Sequence, residues 1–288
     1  PEFIPAFKLK PGDYIIYQPN TTIKDSKFYS KELLLLLGYY LAEGYLIAND
    51  GAVAFAFSKK EKKLINEVRQ LIKNITGKNA SFRIRKNVCE IYFCSRKWAK
   101  FFNSAVGKYA YKKRLSEEIL LLPFSKQWQM IMGYLNGDGN EYHRRPQDFK
   151  TYRVATASRK LAIQIQEILS RGGIFSSIKE GNYSNRNYIE GRKINAKPIY
   201  EISFRLKRKK HFFHYIDNHF LVPIKEIKLK KYQGLVANLE MSNHSESYLV
   251  RGYVVHNCVA AIATSVKITE MAKGKTLEEA LKISQKEI

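Results

Sequence analysis

Two short stretches of this 288-residue chain end in a carboxylate placed just before a glycine. Leu36-Leu37-Gly38-Tyr39-Tyr40-Leu41-Ala42-Glu43-Gly44 and Ile131-Met132-Gly133-Tyr134-Leu135-Asn136-Gly137-Asp138-Gly139 align without a gap. Each has a small residue at its third and seventh positions, an acid at the eighth and Gly at the ninth. At helical spacing, Gly38 with Ala42 and Gly133 with Gly137 form ridges that let a second backbone approach closely. The terminal Gly suits a helix C-cap, so packing the two helices together would set Glu43 and Asp138 side by side at one end of the pair. An acid at a helix C-terminus opposes the helix dipole. That cost is intelligible if the two carboxylates jointly bind divalent cations, hard ions that prefer oxygen ligands. One such stretch alone reads equally well as a buried helix with a capped acid; two at domain spacing favour the paired reading.

The elements that must position these acids repeat. In the first copy an apolar helix (33–45) leads to a β-rich run (52–57), an amphipathic helix (60–75), strands at 81–85 and 88–94, and a helix from Arg96. In the second a helix (127–137) leads to a strand (152–157), a helix (159–169), strands near 175–179 and 200–206, and a helix from Lys209. Phe57-Ser58-Lys59-Lys60 parallels Ala157-Ser158-Arg159-Lys160, and 96–102 parallels 207–213. The expected fold is α+β, a duplicated αββαββ unit with a pseudo-two-fold helix pair and saddle-shaped antiparallel sheets. The second copy carries an insertion (182–197) without hydrophobic periodicity, read as an extended basic loop. Outside the duplication, 3–17 contains a β-like element around a Lys-Pro-Gly-Asp turn. Residues 222–255 are strand-like with Asn-His-Ser and Arg-Gly turns. From Cys258 the character changes to helical spacing.

Lys plus Arg number 50 against 26 Asp plus Glu, a formal net charge of +24, which favours a polyanionic partner through counterion release. Nucleic acid leads, because no segment joins the basic residues to a membrane-seeking apolar face. The longest apolar run stops at Glu43, short of the ~20 residues that span a bilayer. Cys89, Cys94 and Cys258 suggest no disulfide framework, and no signal peptide opens the sequence, which fits a soluble protein of a reducing, prokaryotic cytoplasm. Cys89 and Cys94 have no matching Cys or His pair for zinc and read as packing residues. Alternation in 81–85 sends Phe82 and Ile84 to a packed face and Ser81, Arg83 and Arg85 to a basic one. In the second copy Ser203 and Arg205 face outward likewise, and Arg186, Arg192 and Lys193 of the insertion extend the surface. Two such sheets would form a saddle suited to phosphates and base edges of a major groove.

The paired stretches, 95 residues apart, resemble the LAGLIDADG (dodecapeptide) homing endonucleases in their single-chain, two-motif form. The resemblance covers roughly 31–220. It implies Mg²⁺ (or Mn²⁺) at Glu43 and Asp138, with Gly44 and Gly139 beside them, and hydrolysis of both strands of a long asymmetric DNA site, leaving short 3′ overhangs. It also implies a monomer with internal pseudo-symmetry. Lys113-Arg114-Leu115, followed by Pro123, resembles the family's lysine block, which makes Lys113 a candidate active-site cation and Lys207 its counterpart in the second half. Ser116 stands where a proline is usual. A DNA-binding module on the same fold without catalysis, or a splicing element with a passenger endonuclease, are the competing readings.

Asn238-Leu239-Glu240-Met241, Asn243-His244-Ser245, and Val254-Val255-His256-Asn257-Cys258 resemble the C-terminal splicing blocks of inteins, with Asn238 where Asp is frequent. The resemblance implies Asn257 cyclising to a succinimide, His256 and His244 assisting proton transfer, and Cys258 as acyl acceptor. It also implies an all-β Hint domain. The tail, Cys258 to Ser265 with 274–280, resembles NifU/IscU-type iron–sulfur scaffolds. The resulting domain plan is 1–24, a truncated N-terminal splicing half; 25–220, the endonuclease (repeats 31–110 and 111–220); 221–257, the C-terminal splicing segment; and 258–288, a host fragment.

Overall fold

The computed structural model describes residues 3–47, 51–143, 149–181, 188–189, 192–193, 197–207, 214–229, 231–234 and 247–256. A 3-10 turn (Ala6–Lys8) and β1 (Tyr14–Tyr17) come first. α1 (Lys31–Glu43), β2 (Gly44–Ile47), β3 (Ala52–Ser58), α2 (Lys62–Thr76), β4 (Ser81–Arg85), β5 (Val88–Cys94) and α3 (Arg96–Ala105) follow. After a 3-10 turn (Ala110–Lys112) come α4 (Glu117–Leu121), α5 (Phe124–Asp138), β6 (Asn140–Tyr142), β7 (Thr151–Thr156), α6 (Arg159–Arg171) and β8 (Ser176–Gly181). The chain continues with β9 (Tyr188–Ile189), β10 (Arg192–Lys193), β11 (Ile199–Phe204), β12 (His214–Ile216), β13 (His219–Pro223), β14 (Ser247–Val250) and β15 (Tyr253–His256). Two compact units result: a central one, Pro19–Lys209, and a terminal one built from Pro1–Gln18 and Lys210–Ile288.

In the central unit two four-stranded antiparallel sheets, β2-β3-β5-β4 and β6-β7-β11-β8, repeat one topology. Each begins with the edge strand that leaves an acid-bearing helix. α1 is buried along most of its length, from Leu33 through Leu41, so it needs no polar face. α2 and α6 carry apolar stripes only on their inner sides, with Val68, Leu71 and Ile72 and with Leu161, Ile165, Ile168 and Leu169 buried. Ser30, Ser95 and Ser158 N-cap α1, α3 and α6 through their side chains. Ser58, expected to parallel Ser158, instead ends β3. Its N–H donates to Glu61 Oε2 at 2.8 Å, and α2 starts only at Lys62.

The alternation expected in β4 is kept, but its burial is not. Phe82 and Ile84 pair with Ile91 and Cys89 and so lie on the helix-covered side, yet they are 54% and 60% exposed. β4 is the sheet edge and outreaches the covering helices; the Arg69 guanidinium lies 5.3 Å over the Phe82 ring. The described part of the insertion is not a loop but a short hairpin, β9 paired with β10. Polar groups clasp the linker between the repeats. Gln164 exchanges two hydrogen bonds with the backbone of Leu115 (2.8 and 2.9 Å), and Gln127 Nε2 donates to Ile119 O and Leu120 O. Ser116 N-caps α4 without a side-chain bond.

The terminal unit is one antiparallel sheet in the order β12-β13-β1-β15-β14. β1 lies between strands from the far end of the chain: Tyr14–Tyr17 pair with Pro223–Phe220, and Tyr17 with Tyr253. The Tyr17 ring meets Phe220 and Tyr253 edge-on at 6.0 and 5.2 Å. Asp217-Asn218 and Arg251-Gly252 turn the two hairpins with both φ positive. Residues 214–223 therefore join the terminal sheet rather than continuing the second repeat, β13 pairing with β1 and β12 with β13; where a helix from Lys209 was expected, 214–216 are a strand, and 208–213 lie outside the described residues. Among the described residues no helix is long and apolar enough to cross a membrane.

Candidate active site

Glycine decides how closely α1 and α5 pack. A Cβ on Gly38 would sit 2.2 Å from Met130 O and 2.9 Å from Gly133 Cα; on Gly133 it would sit 2.3 Å from Leu35 O. One turn on, a Cβ at Gly137 would meet Ala42 Cβ at 2.5 Å and Glu43 Cγ at 3.7 Å. The small-residue ridges are thus in backbone contact, and Glu43 lies against the turn that carries Asp138. Gly44 and Gly139 close the helices, but in extended conformation (φ −88° and −82°) rather than the left-handed one expected of a C-cap glycine. They are glycine for want of room: a Cβ would strike the Tyr40 ring at 2.1 Å or Leu135 O at 2.2 Å. Each helix can therefore pass from its acid directly into an edge strand.

Glu43 is half-buried, and Asp138 lies at the exposed end of its helix. Burial pushes the Glu43 carboxyl up to about 7, with Asp138 and then Glu61 adding repulsion and Lys113 opposing it. Asp138 is raised by burial and eased by Lys113. Lys113 itself is buried, and that burial lowers its ammonium to about 8 despite both acids. Its three protons are engaged: Nζ donates to Tyr40 O (2.8 Å), Leu41 O (2.9 Å) and Gly44 O (3.0 Å). Lys113 thus caps the last turn of α1, binding Leu41 O, Gly44 O just past the helix and Tyr40 O, which also accepts from Gly44 N, and lies 5.2 Å over the Tyr40 ring. Lys207 is exposed beyond β11, and among the described residues the cation acting on Asp138 is Lys113. Glu61 was missed by the sequence reading; the Ser58-x-x-Glu61 spacing of a capping box was the available signal.

The open faces of the two sheets carry the expected polar residues. Ser81, Arg83 and Arg85 share a face with Glu90 and Tyr92 across the ladder. Arg83 pairs with the buried Glu90 carboxylate, which also accepts from the Tyr45 hydroxyl, and the Arg83 guanidinium holds that carboxyl below the usual range. On the second sheet Arg205 Nε donates to Thr151 Oγ1 at 2.9 Å, placing it with Arg153 and Ser203 on one face. Arg153 lies 3.7 Å from Glu201 and 5.5 Å over Tyr142. Arg192 and Lys193 form β10, opposite Ile189 and Tyr188. Arg186 lies outside the described residues.

Residues 126–216 match the LAGLIDADG-like domain family. That LAGLIDADG-like segment begins within α5 and includes Asp138. Residues 249–288 match the NifU-like N-terminal domain. The chain is 30% identical over 270 residues to an iron–sulfur cluster assembly SufBD family protein of Mycobacterium tuberculosis, covering 92% of this chain and 32% of that protein. It is 27% identical over 246 residues to the ATP-dependent DNA helicase Hel308 of Thermococcus kodakarensis, covering 78% of this chain and 21% of the helicase. The chain therefore spans about a third of the first relative and a fifth of the second. A solved structure of I-DmoI in complex with DNA and Ca is similar at 15% identity and TM-score 0.45, over 62% of this chain and 85% of that one.

In the terminal unit His256 ends β15, exposed, with its ring 4.6 Å from that of Phe3. His244, Asn257 and Cys258 lie outside the described residues. Cys89 is buried, as a packing residue should be, whereas Cys94 is exposed.

Proposed function

We propose that the central unit is a LAGLIDADG-type homing endonuclease that hydrolyses both strands of DNA, carried within an intein whose splicing domain is the sheet of the terminal unit. The observation that carries this is the convergence of Glu43 and Asp138 at matched ends of two helices in backbone contact. The donor set fits a hard divalent cation: half-buried Glu43 is repelled by the more exposed Asp138 and by a third acid, Glu61, and the neighbouring ammonium is occupied by carbonyls. Gly139 O is the simpler backbone candidate, since Gly44 O already accepts from Lys113. Bound there, Mg²⁺ or Mn²⁺ supplies Lewis acidity, activating water near neutral pH and offsetting charge on the leaving oxygen. The chain's own residues bring the carboxylates together, keep α1 in place through Lys113, and present Arg83, Arg85, Arg153, Ser203 and Arg205 toward a polyanion on two open sheets. A net charge of +24 supports DNA as that polyanion.

The insertion reading draws support from the relatives. One stretch resembles minor portions of an iron–sulfur assembly protein and of a DNA helicase, proteins with unrelated names, as a mobile element would. The central unit falls in sequence between β1 and β12 of the terminal sheet, which supports it too. In this reading His256 and His244 assist cyclisation of Asn257, and Cys258 begins the host segment, here NifU-like. The decisive experiment incubates the whole chain and Mg²⁺ with a plasmid carrying the fused host-gene junction. Linearisation lost on adding EDTA is the expected result, and an intact plasmid would overturn the endonuclease reading. Splicing chemistry is read separately, as a mass-spectrometric product of cleavage between Asn257 and Cys258 that is missing in Asn257→Ala.

A further inference from the structure

The linker between the two repeats carries a feature that the paired acids do not use. Tyr109 and Tyr111 stack with ring centroids 6.0 Å apart and planes 16° from parallel, each 49% exposed. Ammonium groups gather on these rings. Lys108 Nζ lies 5.5 Å from the Tyr109 centroid, Lys112 Nζ lies 6.0 and 5.8 Å from the two centroids, and Lys197, reached from the other repeat, lies 6.0 Å from Tyr111. Among the described residues no carboxylate is paired with Lys112 or Lys197. Crowding cations on an exposed aromatic pair costs electrostatic energy unless an anion sits there.

The loop is also firmly held. Gly107 N donates to Phe102 O (3.1 Å), Arg114 N to Val106 O (2.7 Å) and Lys112 N to Tyr109 O (2.8 Å). Gly107 takes a φ of +99°, and Tyr40 of α1 donates to its carbonyl at 3.1 Å. The residue after Lys112 is Lys113, fastened to the end of α1 that bears Glu43. The tyrosine–lysine cluster is therefore fixed relative to the candidate active site.

We propose that this cluster is a second DNA contact, in which the Lys108, Lys112 and Lys197 ammonium groups bind backbone phosphates and the tyrosine rings lie against the adjoining sugars and bases. Aromatic faces and lysines serve such contacts without regard to sequence. The proposal rests on the reading of the central unit as DNA-binding. Fluorescence anisotropy in EDTA, where nothing is cut, tests it with the full chain and two probes: a duplex spanning the fused host-gene junction and a scrambled duplex of equal length. Lys112→Gln/Lys197→Gln should weaken binding to both duplexes alike and lower the slope of log affinity against log salt by about 1.8, about 0.9 for each phosphate deprived of its ammonium. Tyr109→Leu/Tyr111→Leu should weaken both several-fold with the slope unchanged. All four side chains are exposed, so both variants should match the parent in circular dichroism and melting temperature. Parental affinity and slope in the lysine variant would overturn the site, and parental affinity in the tyrosine variant would overturn the ring contact. Loss of affinity in the lysine variant of a protein that never cuts the junction would remove the endonuclease reading and leave this site standing. Cutting with unaltered binding would do the reverse.

Discussion

The two halves of the central unit share a frame and differ in the charges set upon it. In both, a glycine-ridged helix ends in an acid and runs straight into the edge strand of a four-stranded sheet. Tyr39 and Tyr134 occupy one motif position, but Tyr39 donates to Glu67 (2.8 Å) and Tyr134 to Ala155 O (2.6 Å). Tyr40 has Leu135 as its counterpart, and only the end of α1 is capped by the Lys113 ammonium. Glu61 adds its charge to Glu43 and is absent from the interactions that shift Asp138. Packing geometry tolerates almost no change at Gly38 and Gly133, because both face backbone. The polar surroundings face water or side chains and are freer to diverge. Equivalent acids thereby sit among unequal charges.

If the acids act as one centre, removing either should have the largest effect. Glu43→Gln and Asp138→Asn should each lower double-strand cutting by about three orders of magnitude, about 4 kcal/mol of barrier, in a plasmid linearisation assay. A variant that nicks one strand at parental rate would show that the halves work separately. Next comes the shared frame. Gly38→Val and Gly133→Val push a side chain into backbone and should each destabilise by about 3 kcal/mol, read by urea unfolding. Gly137→Ala should cost less, because it meets the Ala42 methyl. Equal losses at all three would break the account of the ridge.

Lys113→Met tests the asymmetry itself. It strips three carbonyls of a charged donor and should destabilise by about 2 kcal/mol, and it should move the cutting pH profile upward, since Lys113 holds Glu43 down. A parental pH midpoint in this variant would mean that Lys113 is a cap and nothing more. The smallest effect is on stability against pH without metal. The folded state keeps the Glu43 proton up to about 7, against 4.5 for the free side chain. Stabilisation from that proton is therefore complete below about 4.5 and gone above about 7, and Glu43→Gln should flatten this part of the melting-temperature curve.

The helix pair was legible because glycine at i, i+4 has few uses beside close approach, and the strands because their alternation is strong. The reason for Gly44 and Gly139 was not, since want of space and left-handed backbone select the same residue. Phe82 and Ile84 read as buried because alternation reports a side of the sheet and not how far a helix reaches across it. The cap made by Lys113 joins residues some seventy positions apart, and no local pattern encodes it. Pairing of β12 and β13 into the sheet of β1 is likewise long-range, so 214–220 read as part of the repeat.

That pairing bears on how separable the two units are. β1 and β13 are antiparallel neighbours with Tyr17 opposite Phe220, an arrangement that two strands of a simple hairpin would adopt. In this chain the place of the hairpin turn is taken by an entire folded unit and the edge strand β12. A deletion that restored a short turn after Gln18 would give up that edge strand, make β13 the new edge and leave the order β13-β1-β15-β14. The backbone pairing of β1 with β13 at the centre of the terminal sheet thus uses no strand of the central unit that separates them in sequence.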